Sequence, residues 1–296
     1  MSRPPTFVPP DGARARRLRT ARGEFAVVDS PPASGAEPRG TVLLVPGFTG
    51  SKEDFNPLHG LLSARGYRTV AVDGRGQFES DGPRDDESAY AQDELARDVL
   101  AQATALGAPP HLLGHSLGGH LARAAVLLDC SAFVSLTLMA SGPAQISVGQ
   151  QQRVKLLEDA LGVMTMAQVW EAMRAMEASE DDRAGMDAGL DDREDLRRRW
   201  LGTSPAQLLA TGRQLCVEPD RVAELAAVAL PFHVLSGERD DAWPVPLLDD
   251  MARRLGARRT VVEGAEHSPN CEQPLATARA LADFWDGAAR SQEDPS

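Results

Sequence analysis

His111-Leu112-Leu113-Gly114-His115-Ser116-Leu117-Gly118-Gly119-His120 is the stretch of this 296-residue chain whose reading decides the fold. It opens as a short apolar strand. Past the serine it becomes a helical pattern over Leu117 to Leu128, with Leu121, Val126 and Leu128 recurring. Between the two lies Gly-x-Ser-x-Gly. A serine at that place sits on a tight strand-to-helix turn, and the residues two before and two after it must be small to avoid the turn and the neighbouring strand. The turn lifts the hydroxyl clear of the sheet. It also places the next amide N–H, that of Leu117, at a helix start, where unpaired donors and the helix dipole favour a developing negative charge. The spacing alone is weak. A strand ending at Gly114 and a helix beginning just after Ser116 make it specific. The bland alternative is a glycine pair that merely lets a strand and helix pack closely.

Outward from this unit the same alternation repeats. Strand patterns cover Thr41–Val45, Arg68–Asp73, Phe133–Met139, Phe232–Ser236 and Thr260–Val262. Thr41–Val45 does not alternate, as expected of a strand buried on both faces. Helical patterns cover Asp54–Arg65 and Glu87–Leu106, the second halted by Gly107 and Pro109-Pro110. Repeated β–α alternation implies a parallel sheet covered by helices. From 144 to 229 no strand pattern occurs. Thr165 and Gln168 form a capping box, after which Met166, Val169, Trp170, Met173 and Met176 recur at helical spacing. Glu177–Asp195 is acidic and reads as a solvated turn region; Pro205–Leu215 reads as a further helix. The expected organisation is a flexible arm over 1–20, a first α/β part over 21–143, a helical cap over 144–229, a second α/β part over 230–288 and a flexible tail over 289–296.

Hydrophobic residues make up 42% and charged residues 25%, an ordinary globular balance. The net charge of −12 argues against a nucleic-acid-binding surface or a polybasic membrane patch. No apolar run is long enough to span a membrane, and Met1-Ser2-Arg3-Pro4-Pro5 lacks the apolar segment of a signal peptide. Cys130, Cys216 and Cys271 are too few and too scattered for a disulfide framework or a zinc site. The expectation is a cytoplasmic protein with free thiols, a small-molecule substrate, and no nucleic-acid or membrane partner.

A serine nucleophile needs a general base, and the base needs an orienting acid. His59 falls in a helix, His111 and His233 in strands, His115 beside the serine and His120 one turn below it. Only His267 lies in a loop after a late strand, within Glu263-Gly264-Ala265-Glu266-His267. The acid belongs at the end of another strand. Phe232–Ser236 runs into Gly237-Glu238-Arg239-Asp240-Asp241, making Asp240 the first candidate and Asp241 the second.

With these pieces in place, residues 25 to 286 resemble the α/β-hydrolase family. The resemblance is carried by Val45-Pro46-Gly47-Phe48, Asp73-Gly74-Arg75-Gly76, the turn at Ser116, Gly237 to Pro244, and Gly264 to His267. It implies a mostly parallel twisted sheet of about eight strands flanked by helices, with a helical cap inserted late in the sheet. It matches Asp240 to the acid and His267 to the base, and adds the Phe48 N–H to that of Leu117 as the two oxyanion donors. Two departures stand out. Pro46 occupies a place where His is frequent, and Phe78 replaces a glycine in the loop after Asp73, which should alter that loop near the pocket.

The resemblance implies a serine hydrolase that cleaves a carboxylic ester, or a related acyl bond, of a small apolar substrate through an acyl-enzyme on Ser116, without metal or organic cofactor. Acyl transfer, thioesterase, lactonase and C–C hydrolase chemistry use the same triad, and a non-catalytic ligand-binding protein of this fold is the alternative from another class. Met166, Trp170 and Met173 are the candidate pocket residues of a pliable lid; the same stripe would equally serve to glue the cap to the core.

Overall fold

Why the central strands do not alternate is visible in where their side chains go. In the computed structural model, which describes residues 3–184 and 191–293, Val42 and Leu44 face one side of the sheet. Leu43 and Val45 face the other. Both sides are covered, so both sets must be apolar.

The sheet has eight strands: β1 (Arg14–Thr20), β2 (Gly23–Ser30), β3 (Gly40–Val45), β4 (Tyr67–Val72), β5 (His111–His115), β6 (Ser135–Met139), β7 (Phe232–Gly237) and β8 (Arg258–Val262). Their order is β1-β2-β4-β3-β5-β6-β7-β8. β2 runs against both its neighbours, and every other pairing is parallel. The expected α/β class is therefore correct. On one face pack α2 (Gln92–Ala105), α3 (Leu117–Leu128), α8 (Val222–Ala226) and α9 (Val245–Leu255). On the other pack α1 (Asn56–Ser63) and α11 (Pro274–Glu293), through Leu58, Leu62, Leu281 and Trp285. The short α10 (Pro269–Glu272) leads into α11.

Between β6 and β7 the chain leaves the sheet for α4 (Val148–Val163), α5 (Met166–Ala184), α6 (Asp191–Gly202) and α7 (Pro205–Val217). The Thr165 capping box is formed: the Gln168 N–H donates to Thr165 Oγ1, and the Thr165 N–H to Gln168 Oε1. Buried charge fastens the insertion to the elements flanking the sheet. Arg199 of α6 donates to Asp54 Oδ1 at 3.0 Å, both side chains being essentially inaccessible. Arg123 of α3 meets Glu218 at 2.5 Å, just past α7, and also donates to Pro143 O at the other root of the insertion. Removing one member of a buried ion pair typically costs about 3–5 kcal/mol.

Three expectations are corrected. The arm over 1–20 contains β1, which alternation could not reveal because only Leu18 of its seven residues is buried and four are arginines. Arg16 and Arg19 pair across to Asp29 and Glu24 of β2, and the charged edge discourages pairing with another sheet. Further upstream the Asn56 amide donates to both Thr6 O and Val8 O. This seats Phe7 edge-on to Phe78, under the Arg199 guanidinium and against the apolar cluster of the inserted helices. Secondly, the acidic stretch Glu177–Asp195 is largely helical: α5 continues to Ala184 and α6 starts at Asp191, the residues between lying outside those described. No glycine or proline interrupts the chain before Gly185, and Ala, Glu and Arg are good helix formers. Thirdly, the tail over 289–296 is helix as far as Glu293, because Gly287 alone does not break a helix held by Phe284, Trp285 and Ala288. Residues 294–296 lie outside those described.

Two stability effects are expected. Phe7→Ala should remove about 1–2 kcal/mol, roughly 2–8 °C in Tm for a chain of this size; an unchanged Tm would show that the contact contributes nothing. Burial also pushes His59, His111 and His115 down to about 4, and His233 to about 3. The unfolded chain then binds protons near the ordinary histidine value that the folded chain refuses. Stability is present above about pH 6.5 and should decline as pH falls toward 4. Urea midpoints across that window test this, and a flat series contradicts it.

Candidate active site

The turn after β5 is strained. Ser116 has φ 54° and ψ −120°, outside the regions a side chain prefers, at a cost of order 1–3 kcal/mol. Its surroundings hold it there. The Ser116 N–H donates to Met139 O of β6 at 3.0 Å, and the Gly119 N–H donates to Ser116 O at 2.9 Å. A Cβ on Gly114 would stand 2.2 Å from Gly118 O, and one on Gly118 2.3 Å from Val45 O. Only glycines permit this crossing of β5, α3 and the end of β3.

β7 ends in a loop that presents Asp240. Its side chain is fully buried, and Oδ1 accepts from the Ala242 and Trp243 N–H groups at 2.8 and 3.0 Å. β8 ends in the loop that presents His267. The two loops pass so closely that a Cβ on Gly237 would meet Ala265 O and Glu266 O at 2.3 Å. His267 Nδ1 stands 3.0 Å from both Asp240 carboxylate oxygens, and Nε2 stands 3.1 Å from Ser116 Oγ. A carboxylate only accepts, so Nδ1 carries the proton and Nε2 is free to accept one from the hydroxyl. Asp241, the second candidate acid, turns outward, where its exposed carboxylate accepts from Gln150 at 2.5 Å and meets Arg153 at 3.3 Å.

Burial lowers the affinity of His267 for a proton. The hydrogen bond and charge of Asp240, with Asp241 and Glu272 behind, outweigh it, so the imidazole stands above its ordinary value. Trp243 lies nearly parallel to the ring at 6.2 Å and is itself fixed by an indole hydrogen bond to Ala144 O. His115, beside the serine in sequence, donates from its ring Nε2 to the His267 carbonyl at 2.8 Å, tying the base's loop to the turn. Among the described residues, one group of three possible metal ligands lies within 4.8 Å: Asp240, Asp241 and His267. Both imidazole nitrogens there already face Asp240 and Ser116, a donor set suited to moving protons.

The structure thus brings Ser116, His267 and Asp240 together. Leu117 is the first residue of α3, so its N–H has no acceptor within the helix. Phe48 lies in the turn after β3, with Gly47 so near that a Cβ there would sit 3.2 Å from Ser116 Cβ. Met166 and Trp170 pack within the inserted helices beside Val169, Leu196, Trp200 and Leu208, and Met173 leans on them; Phe48 touches that cluster and the main core. A void of about 10 Å³ beside Phe48 is lined by Val154, Leu157, Leu161 and Leu208, with Glu158 and Arg213 paired at its rim. The loop after Asp73 keeps a glycine-like course despite Phe78, which takes φ 39° itself. The Lys52 ammonium 4.6 Å above its ring and the Thr203 hydroxyl accepting its N–H at 3.3 Å hold it there.

The profile of the family described as alpha/beta hydrolases matches residues 42–280. A pimeloyl-[acyl-carrier protein] methyl ester esterase from Aeromonas hydrophila is 31% identical over 230 residues, which span 73% of this chain and 85% of that protein. A thermophilic esterase from Thermogutta terrifontis superposes with a TM-score of 0.71 at 21% identity, over 93% of this chain and 99% of its own. An esterase from Exiguobacterium antarcticum gives 0.72 at 18% identity, over 92% and 100%. The two structures share the fold.

The two aspartates should separate cleanly by NMR titration of His267. Asp240→Asn leaves burial unopposed by its main partner and should drop the imidazole below its ordinary value. Asp241→Asn should lower it only slightly. Equal shifts would show that Asp240 does not dominate.

Proposed function

The chain belongs to the α/β-hydrolase family, and on that premise we propose that it hydrolyses carboxylic esters of small apolar groups through an acyl-enzyme on Ser116. The observation that carries this reading is the continuous relay from Asp240 through His267 to the Ser116 hydroxyl, with every step near 3 Å. Ser116 Oγ attacks the ester carbonyl carbon while its proton passes to His267 Nε2. Buried Asp240 keeps the imidazole in the required tautomer and offsets the charge it acquires. The carbonyl oxygen becomes an anion, which the Leu117 and Phe48 N–H groups receive; one such donor is typically worth about 2.7–4 kcal/mol. His267 returns the proton to the departing alcohol. Water then repeats the sequence on the acyl-enzyme, and the carboxylic acid leaves with Ser116 restored.

Esters are favoured among acyl compounds because the relatives are named as esterases, one of them for a methyl ester. The apolar side chains packed around Phe48, next to Gly47 and the Ser116 turn, support an apolar acyl group. The helices between β6 and β7 serve in this reading as a cap, with Met166, Trp170 and Met173 forming its interior. The partner is a small molecule, and catalysis requires no cofactor.

Short-chain p-nitrophenyl esters should be turned over by the wild type. Ser116→Ala should lose at least about a thousandfold of that rate, the scale seen when a triad nucleophile is removed. A fluorophosphonate should label Ser116 alone. Labelling elsewhere, or undiminished turnover in Ser116→Ala, overturns the mechanism. The rate should rise with pH through a midpoint above 6.5, since protonated His267 cannot accept the serine proton; a flat profile from pH 5 to 8 removes His267 as base.

A further inference from the structure

The Gly47 carbonyl and the Phe48 N–H are two ends of one peptide plane. The bond is trans, so they point in opposite directions, and whatever grips the oxygen sets where the N–H aims. Two donors grip it. The Gly50 N–H closes the local turn at 3.2 Å, and the Gln77 side-chain amide arrives from the loop after β4 at 3.0 Å. Among the described residues no acceptor takes the Phe48 N–H.

We propose that Gln77 is a positioning residue that holds the Gly47–Phe48 peptide with its N–H aimed at the oxyanion formed on Ser116. This rests on the acyl-enzyme reading above. Gln77 is fitted to the task. Its Oε1 accepts the Gly74 N–H at 2.9 Å, which leaves Nε2 as the group facing Gly47 O and fixes the amide's orientation. The side chain is buried. Its backbone N–H donates to Gly74 O at 3.0 Å, and its carbonyl accepts the Ser80 N–H at 2.8 Å. Ser80 in turn donates to Asp73 O. The unusual Phe78 next door is locked in its left-handed conformation by Lys52 and Thr203. The Gln77 amide therefore comes from a rigid loop and links it to the turn carrying Phe48. With Gln77 removed, only the longer Gly50 bond within the turn itself resists rotation of the peptide.

Two full-length variants test this. Gln77→Glu keeps the acceptor for Gly74 but has no donor for Gly47 O. Gln77→Met keeps the shape without either. Hydrolysis of p-nitrophenyl butyrate, inhibition by a trifluoromethyl ketone that forms a tetrahedral adduct, and Tm are measured together. Both variants should lose roughly tenfold or more in kcat, part of the 10²–10³ that a whole oxyanion donor supplies, with KM changed by less than about threefold. Inhibitor affinity should fall in proportion to kcat/KM, and Tm should stay close to that of the wild type. Unchanged kcat with an active wild type overturns the role of Gln77 alone. Loss of Tm with kcat and KM degraded together makes Gln77 structural and also overturns it. A wild type inert toward esters and unlabelled at Ser116 overturns the acyl-enzyme reading and the Gln77 role with it.

Discussion

Everything at this site depends on how closely three backbone segments approach beneath Ser116. β5 ends, α3 begins, and the exit from β3 crosses them at distances that exclude even a methyl group at Gly114 or Gly118. This crowding maintains a conformation that an isolated serine would abandon, because relaxing the turn would break its hydrogen bond to β6 and open voids in a sheet buried on both faces. The hydroxyl is therefore presented by the packing of the core, and the loops from β7 and β8 need only meet it.

How much of this was legible follows from what kind of signal each part leaves. Ser116 and Asp240 follow the buried strands β5 and β7, His267 follows the edge strand β8, where only Val262 is buried, and a run such as Leu43-Leu44-Val45 can be read without partners. The helical insertion was legible from the capping box at Thr165 and from the absence of strand patterns. β1 was not, because an edge strand of arginines stabilises itself through charges on β2 that lie far from any local pattern. The acidic stretch after Glu177 was mistaken for a turn because charge was weighed above helix propensity. Phe7 escaped notice for a related reason: its ring partners, Phe78 and Arg199, and Asn56, which holds the flanking carbonyls, are far from it in sequence.

Within the site, the missed residues work through the main chain. His115 and Gln77 each donate to a carbonyl, that of His267 and that of Gly47. Such contacts leave no motif, since any residue with a donor of the right length could make them. Choosing between Asp240 and Asp241 has the same character. The sequence offers two adjacent carboxylates, and the choice rests on which is held by the Ala242 and Trp243 amides and turned inward.

The seat of Phe7 bears on how the molecule assembles. A ribosome delivers Phe7 long before Arg199, whose guanidinium lies above its ring. The contact encloses a very long loop, so it gains little until the intervening structure has already brought its ends together. The segment around Phe7 is thus among the last to dock, fastening over helices that must be in place beforehand.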